Sequence, residues 1–278
     1  MAISAAEVKK LRDITGAGMM ECKKALTEAN GDMAEAEKIL KEMGLAAVAK
    51  RQDRATENGR VFVLAKGNKA CLVELSCETD FVAKNEQFKA LGEEICQVVL
   101  EKGYTEVVPE LTDMVNGLIA TIKENMACKK VMLIDVPANG MAATYLHGEG
   151  SVAVVVVFKA DNAALFENEA VATFCHDCAL HVAAYKPQFL CSQVIPKEFE
   201  EAQLDIFKAQ VAQLDKPEKV KEGIVRGKLS KLYKEICFVD QAFVKDDTLS
   251  VSKKMAEVAK AAGGKLEIVS CNYFVAGV

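Results

Sequence analysis

Ser76-Cys77-Glu78-Thr79-Asp80-Phe81-Val82-Ala83-Lys84-Asn85 is the stretch on which the fold of this chain turns. Just before it, Ala70-Cys71-Leu72-Val73-Glu74-Leu75-Ser76 is mostly apolar and predicts a strand. Just after it, residues 86–101 place Phe88, Leu91, Ile95, Val98 and Val99 along one helix face. The stretch is thus a strand-to-helix connection, and it sets an aromatic ring beside a carboxylate. Local chemistry leaves two readings open. Connections run over the surface, so Phe81 is either presented as a wedge for a partner, with Asp80 competing there for donors or a metal. Or the ring folds back as the first core residue, and Asp80 merely caps the helix.

Working outward, Val61-Phe62-Val63-Leu64-Ala65 and the 70–75 run flank Lys66-Gly67-Asn68-Lys69, which predicts a hairpin. Residues 110–126 read as a further helix and Val131-Met132-Leu133-Ile134 as a third strand. The second half has the same order. Ala142 to His147 and Val152 to Phe158 bracket Gly148-Glu149-Gly150, and a helix follows from about Asn162 to Ala184. Strand, strand, helix in both halves points to an α+β fold with a duplicated antiparallel sheet-plus-helix core. Within 196–236, one helix carries Phe199, Ala202, Ile206, Ala209 and Leu214. The next carries Val220, Ile224, Val225, Leu229 and Leu232, with Pro217 suited to its start. That is a protruding antiparallel helical hairpin. Val239 to Val244 and Leu266 to Val275 read as late strands around a helix from Val251 to Ala262.

Residues 1–54 form a small three-helix bundle. Ser4 with Glu7 and Asp32 with Glu35 have the spacing of helix starts. The first helix turns Val8, Leu11 and Ile14 to one side; Gly16-Ala17-Gly18 breaks it. Met20 to Ala29 follows, and Asn30-Gly31 ends it. The third helix has Met33, Ala36, Ile39, Leu40 and Met43 as its stripe, stopped by Gly44, and 45–59 reads as a linker. The expected division is 1–54, then 55–140 as the first half of the core, then 141–278 as the second half with its hairpin inserted at about 196–236.

Of 278 residues, 51% are hydrophobic and 27% charged, the balance of a globular chain. A net charge of −5 argues against a nucleic-acid binder, which shows a basic face. The start, MAISAAEVKK, has no basic run before an apolar one, so no secretory signal is expected. The longest apolar run, Val152 to Phe158, is far short of the roughly 20 residues a membrane span needs. Ten cysteines then read as reduced thiols in a cytoplasm. Cys71, Cys96 and Cys237 sit among apolar neighbours as small core residues.

Three motifs invite chemistry. Gly148 to Ala153 spells a dinucleotide fingerprint, but a strand follows it where a helix is needed. Gly223 to Lys228 is one residue short of a phosphate loop and has no Ser or Thr after the lysine, so the chain is expected to bind no nucleotide itself. Cys175-His176-Asp177-Cys178 with His181 supports an alternative function, a thiol-redox or zinc protein. Against it, the pair lies inside an apolar-striped helix rather than at its start, with only three candidate ligands. No cofactor and no metal are expected.

TDFVAKNEQF (79–88), together with TGAGMMECKKALTEANGD (15–32), resembles bacterial elongation factor Ts, the family of guanine-nucleotide exchange factors for the GTPase elongation factor Tu. The resemblance recurs at 145–148, 180–187, 203–206, 227–229 and 243–244, so it spans nearly the whole chain in order. It implies a ubiquitin-associated-like (UBA-like) first domain, a coiled-coil hairpin, and exchange without covalent chemistry. It also implies that Thr79, Asp80, Phe81 and Val82 enter the partner's GTPase domain and displace its Mg²⁺. Val8, Leu11, Met19, Met20 and His147 would be docking residues, and His181 a packed helix residue. Read locally, His147 is a packed or a contact residue, and core packing claims one of Met19 and Met20. Ser151 stands where relatives commonly carry a basic residue, and the end at Val278 lacks an extension some relatives have.

Overall fold

The computed structural model describes residues 3–277. At the N-terminus Ser4 and Glu7 cap α1 (Ala5–Thr15) reciprocally, Ser4 N donating to Glu7 Oε2 at 2.8 Å and Glu7 N to Ser4 Oγ at 3.3 Å. After α2 (Met19–Glu28), Asp32 starts α3 (Met33–Ala49) by accepting from Glu35 N at 2.9 Å. Val8, Leu11, Cys22, Ala25, Leu26, Ala36 and Leu40 close a core of their own between these helices. Ile14, expected on the same side, is exposed. Gly44 does not stop α3. The helix runs on to Ala49, because the missing side chain lets it lie against α6 (Pro109–Ile122), where a Cβ on Gly44 would meet Ala120 Cβ at 3.0 Å. The expected linker shortens accordingly, and the bundle is seated on the rest of the protein.

Beyond it lie two three-stranded antiparallel sheets. β1 (Asn58–Lys66), β2 (Lys69–Cys77) and β3 (Met126–Asp135) stand in the order β1-β2-β3. β4 (Gly140–His147), β5 (Val152–Ala160) and β8 (Leu266–Val275) stand in the order β4-β5-β8. Each half pairs a hairpin with a late return strand beside the hairpin's second strand, so the duplication is one of topology. The sheets pack face to face. Ala70 and Leu72 of β2 meet Ala153, Val155 and Val157 of β5 between them. The alternate residues of β2, Cys71, Val73, Leu75 and Cys77, pack outward on Phe88, Leu91, Ile95 and Val99 of α5 (Glu86–Lys102). Val154, Val156 and Phe158 of β5 pack on α7 (Glu169–Tyr185). The layers run helix, sheet, sheet, helix. β5 reads as an unbroken apolar run from Val152 to Phe158, and β2 as one interrupted by Glu74 and Ser76, because both faces of each strand are covered. Phe88 and Phe158, each wholly buried, contribute about 1.5–3 kcal/mol apiece by area removed from water.

Several boundaries differ from the sequence expectation. α6 ends at Ile122, with Lys123 in the left-handed region at φ 69°, and β3 starts at Met126 opposite Cys77. The strand was hidden by its polar middle, where the register slips between Glu74 and Leu75. The helix expected from Asn162 is a short 3-10 turn, Ala163–Glu167, followed by α7, whose start Asn168 caps by accepting from Ala170 N at 3.0 Å. Between α7 and β8 lie α8 (Lys197–Ala212) and α9 (Glu218–Ile236), which run antiparallel: Lys228 Nζ reaches Gln210 Oε1 at 2.8 Å, and Tyr233 Oη donates to Glu200. The strand expected at 239–244 shrinks to β6 (Ala242–Phe243). Its partner, β7 (Asp246–Ser250), is polar and was not foreseen; α10 (Val251–Ala261) follows.

Candidate functional site

Between β2 and α5 the chain makes one isolated helical turn, α4 (Asp80–Ala83). Its cap is Thr79, whose Oγ1 accepts from Val82 N at 3.4 Å, and Asn85 caps α5 by accepting from Gln87 N at 2.8 Å. The reading of Asp80 as a cap is thereby corrected: it sits inside the first turn. Val82 and Ala83 drop into the core of the first half, while Phe81 stands 81% exposed. Asp80 Oδ2 meets Lys84 Nζ at 2.7 Å, which holds the carboxyl below its ordinary range and the ammonium above its own.

Behind the turn lies Lys123-Glu124-Asn125, the connection from α6 to β3. Thr79 N donates to Glu124 Oε2 at 3.1 Å, and Thr79 Oγ1 to Glu124 Oε1 at 2.9 Å. Asn125 N donates to Glu78 Oε1 at 2.5 Å, and Asn125 Nδ2 to Arg54 O at 2.7 Å. Burial, and then the Glu124 charge, push the neighbouring Cys77 thiol up to about 12. On its other side the connection reaches the bundle. Lys123 Nζ lies 2.6 Å from Glu21 Oε1, holding that carboxyl below its usual range, and Lys123 O accepts from Arg51 Nε at 2.9 Å. Glu21 in turn accepts from Gly18 N at 3.1 Å at the start of α2. Met19 and Met20 follow directly, and both are exposed, Met20 at 75%, so core packing takes neither.

His147 is exposed at the end of β4, its ring stacked on Tyr145 with centroids 6.0 Å apart and Nδ1 3.3 Å from Tyr145 Oη. Gly148-Glu149-Gly150 is a hairpin turn, as its context required, and Ser151 Oγ donates to His147 O at 3.1 Å within it. The turn is tied to β1: Val61 N donates to Gly150 O at 2.8 Å, and Arg60 pairs with Glu149 at 3.1 Å. The Glu149 charge also helps to raise Lys84. The α4 turn also packs on β1, whose first residue Asn58 stands opposite Cys77, so Asp80, Phe81 and the His147 turn all lie near the start of that strand.

One expectation is corrected here. Val8 and Leu11, named as docking residues, lie in the bundle's core, Leu11 at 0% exposure, because the three helices close over them; neither offers a side chain to a visitor. The alternative reading of the cysteine pair gains no support. Burial pushes Cys175 up to about 12 and Cys178 well above its ordinary value, the opposite of a poised thiolate. His181 is wholly buried, Nδ1 accepting from Val244 N at 3.1 Å and Nε2 facing Gln241 Oε1 at 2.9 Å, and burial lowers its pKa. Both ring nitrogens are engaged. Among the described residues no group of three or more His, Cys, Asp and Glu is arranged to hold a metal ion, and no helix is long and apolar enough to cross a membrane.

Lys123, Glu124 and Asn125 escaped the sequence reading, which carried the α6 helix through them. Three consecutive polar residues between an apolar helix and an apolar strand were the signal that marked them.

A profile of the elongation factor TS family matches residues 78–278. Over its full length the chain is 49% identical to elongation factor Ts of Treponema denticola, 99% of which is covered. It is 46% identical over 289 residues to elongation factor Ts of Treponema pallidum, with all of both chains aligned. It is 42% identical over 279 residues to that of Borrelia recurrentis, again with both fully covered.

Proposed function

The chain belongs to the elongation factor Ts family, and from that premise we propose that it binds elongation factor Tu in the cytoplasm and drives out GDP through the exposed Asp80–Phe81 turn. A GTPase holds its nucleotide by phosphate contacts and a bridging Mg²⁺. An exchange factor therefore needs no covalent chemistry of its own. It has only to bind the empty partner more tightly than the loaded one, and by linkage it then weakens the nucleotide by the same factor. In this reading Thr79, Asp80, Phe81 and Val82 form the wedge. Phe81 enters between helices of the GTPase domain, and Asp80 leaves Lys84 as the Mg²⁺ is displaced.

Converting a nearly all-loaded population into a nearly all-empty one takes a differential of about 5 kcal/mol. Burying one aromatic side chain supplies about 1.5–3 kcal/mol. More than one docking surface is therefore needed. Met19 and Met20 on a UBA-like bundle shaped by Val8 and Leu11, and His147 near the start of β1, supply the others. The 1–54, 55–140 and 141–278 units would each carry one part of the grip, with the α8–α9 pair as a coiled-coil arm. The observation that carries this reading is the 81% exposure of Phe81 on a turn whose flanking residues are all tied down.

The test is release of labelled GDP from elongation factor Tu. Phe81→Ala is expected to slow the accelerated release by about 10- to 100-fold, the rate equivalent of one buried ring. Acceleration equal to that of the unaltered chain would remove Phe81, and with it the reading.

A further inference from the structure

We infer that Glu124 is a positioning residue for exchange: its carboxylate clamps Thr79 and so holds Phe81 at a fixed place relative to the N-terminal bundle. This rests on the exchange reading above and adds a device to it. A lone helical turn of four residues has no stability of its own, since helix nucleation is unfavourable. Something else must hold α4. Val82 and Ala83 anchor it from below, while from behind Glu124 takes both the backbone N–H and the hydroxyl of Thr79. Bonds to a charged acceptor are the stronger kind. The residues on either side of Glu124 reach the bundle and its connection to β1. Lys123 engages Glu21 and Arg51, and Asn125 engages Gln52 and Arg54 while its N–H holds Glu78. Three consecutive residues thus bind, on one side, the elements that carry Met19 and Met20 and, on the other, the turn that carries Phe81. A wedge that pivoted on its base would lose binding free energy to ordering itself upon insertion; a clamped one does not. Glu124 itself need touch nothing in the partner.

The experiment is a double-mutant cycle of Glu124→Ala with Phe81→Ala, read by GDP release from elongation factor Tu over a range of factor concentrations. Glu124→Ala alone is expected to lower the maximal rate about tenfold, the equivalent of one charge-assisted hydrogen bond, with little change in the half-saturating concentration. In the Phe81→Ala background it is expected to change nothing further, and Glu124→Gln, which keeps the shape and one acceptor oxygen but loses the charge, restores part of the rate. The chain contains no tryptophan, so Phe81→Trp gives a single reporter whose fluorescence anisotropy is expected to fall when Glu124→Ala is added. Equal slowing by Glu124→Ala with and without Phe81, or unchanged anisotropy, overturns the clamp. Should Glu124→Ala fail to fold, Thr79→Ala cuts the hydroxyl bond from the other side and enters the same cycle. If Phe81→Ala alone is without effect, the exchange reading fails; if Phe81→Ala slows release and Glu124→Ala does not, only the clamp fails.

Discussion

The two halves of the core cross from their second strand to their long helix in different ways. In the second half the crossing from β5 to α7 is the 3-10 turn Ala163–Glu167, and its large side chains go inward: Leu165 is buried and Phe166 packs partly against the same core. Asp161 ties the crossing to the far end of the chain, Lys265 N donating to its Oδ1 at 3.0 Å. In the first half the crossing from β2 to α5 turns its largest side chain, Phe81, out into water. Both crossings end on an asparagine that caps the long helix, Asn85 in one and Asn168 in the other. The scaffold is the same. An apolar crossing residue normally gains by burial, so the first half forgoes that gain and holds its crossing instead by polar bonds from Glu124 and Asn125. Stability is thereby separated from presentation. The second-half turn belongs to the core, and the first-half turn leaves its ring in water.

That contrast can be broken most forcefully at Leu165. Leu165→Ala is expected to cost about 2–5 kcal/mol of stability through the cavity it leaves, while Phe81→Ala is expected to fall within about 0.5 kcal/mol, as exposed positions do. Urea unfolding of both variants measures it, and comparable losses would erase the distinction. In exchange the ranking should reverse, with Phe81→Ala slow and Leu165→Ala near normal per folded molecule. A smaller effect sharpens the contrast through pH. Burial lowers the His181 pKa, so below the ordinary histidine value of about 6.5 the unfolded chain binds a proton that the folded chain resists. Stability from this source is complete above that value and falls as pH drops through it towards the lowered folded value. Asp80 has its pKa depressed by Lys84, so it stays ionised through the same window. Unfolding midpoints at pH 7.5 and pH 5.5 should differ more for the unaltered chain than for His181→Gln. Equal pH dependence in the two would show that His181 is not the group responsible.

How much of this was legible in advance depended on range along the chain. The helix caps at Ser4 and Asp32, the hairpin turn at Gly67-Asn68, the stripe of α5 and the repeated strand-strand-helix order are local, and short-range spacing declares them. The stripe expected on α8 is not among them, since Ile206 is exposed and Val211 is buried instead. Gly44 misled because a glycine serves equally to end a helix and to let a second helix come close, and only Ala120 tells which. Val8 and Leu11 were given a docking role by the resemblance, whereas their own stripe fits the bundle core in which they lie.

By itself, then, the order of residues determined the class of fold, the duplicated plan, and the presence of an aromatic–carboxylate pair at a strand-to-helix crossing. The three-dimensional arrangement alone decided that Phe81 faces outward, that the His147 turn lies near it, and that Lys123-Glu124-Asn125 joins the Asp80–Ala83 turn to the bundle. Those outcomes rest on contacts such as Thr79 with Glu124, Glu78 with Asn125 and Glu21 with Lys123, whose partners are separated by 45, 47 and 102 positions. No window of local periodicity spans such distances, and only closure of the whole chain brings the partners together.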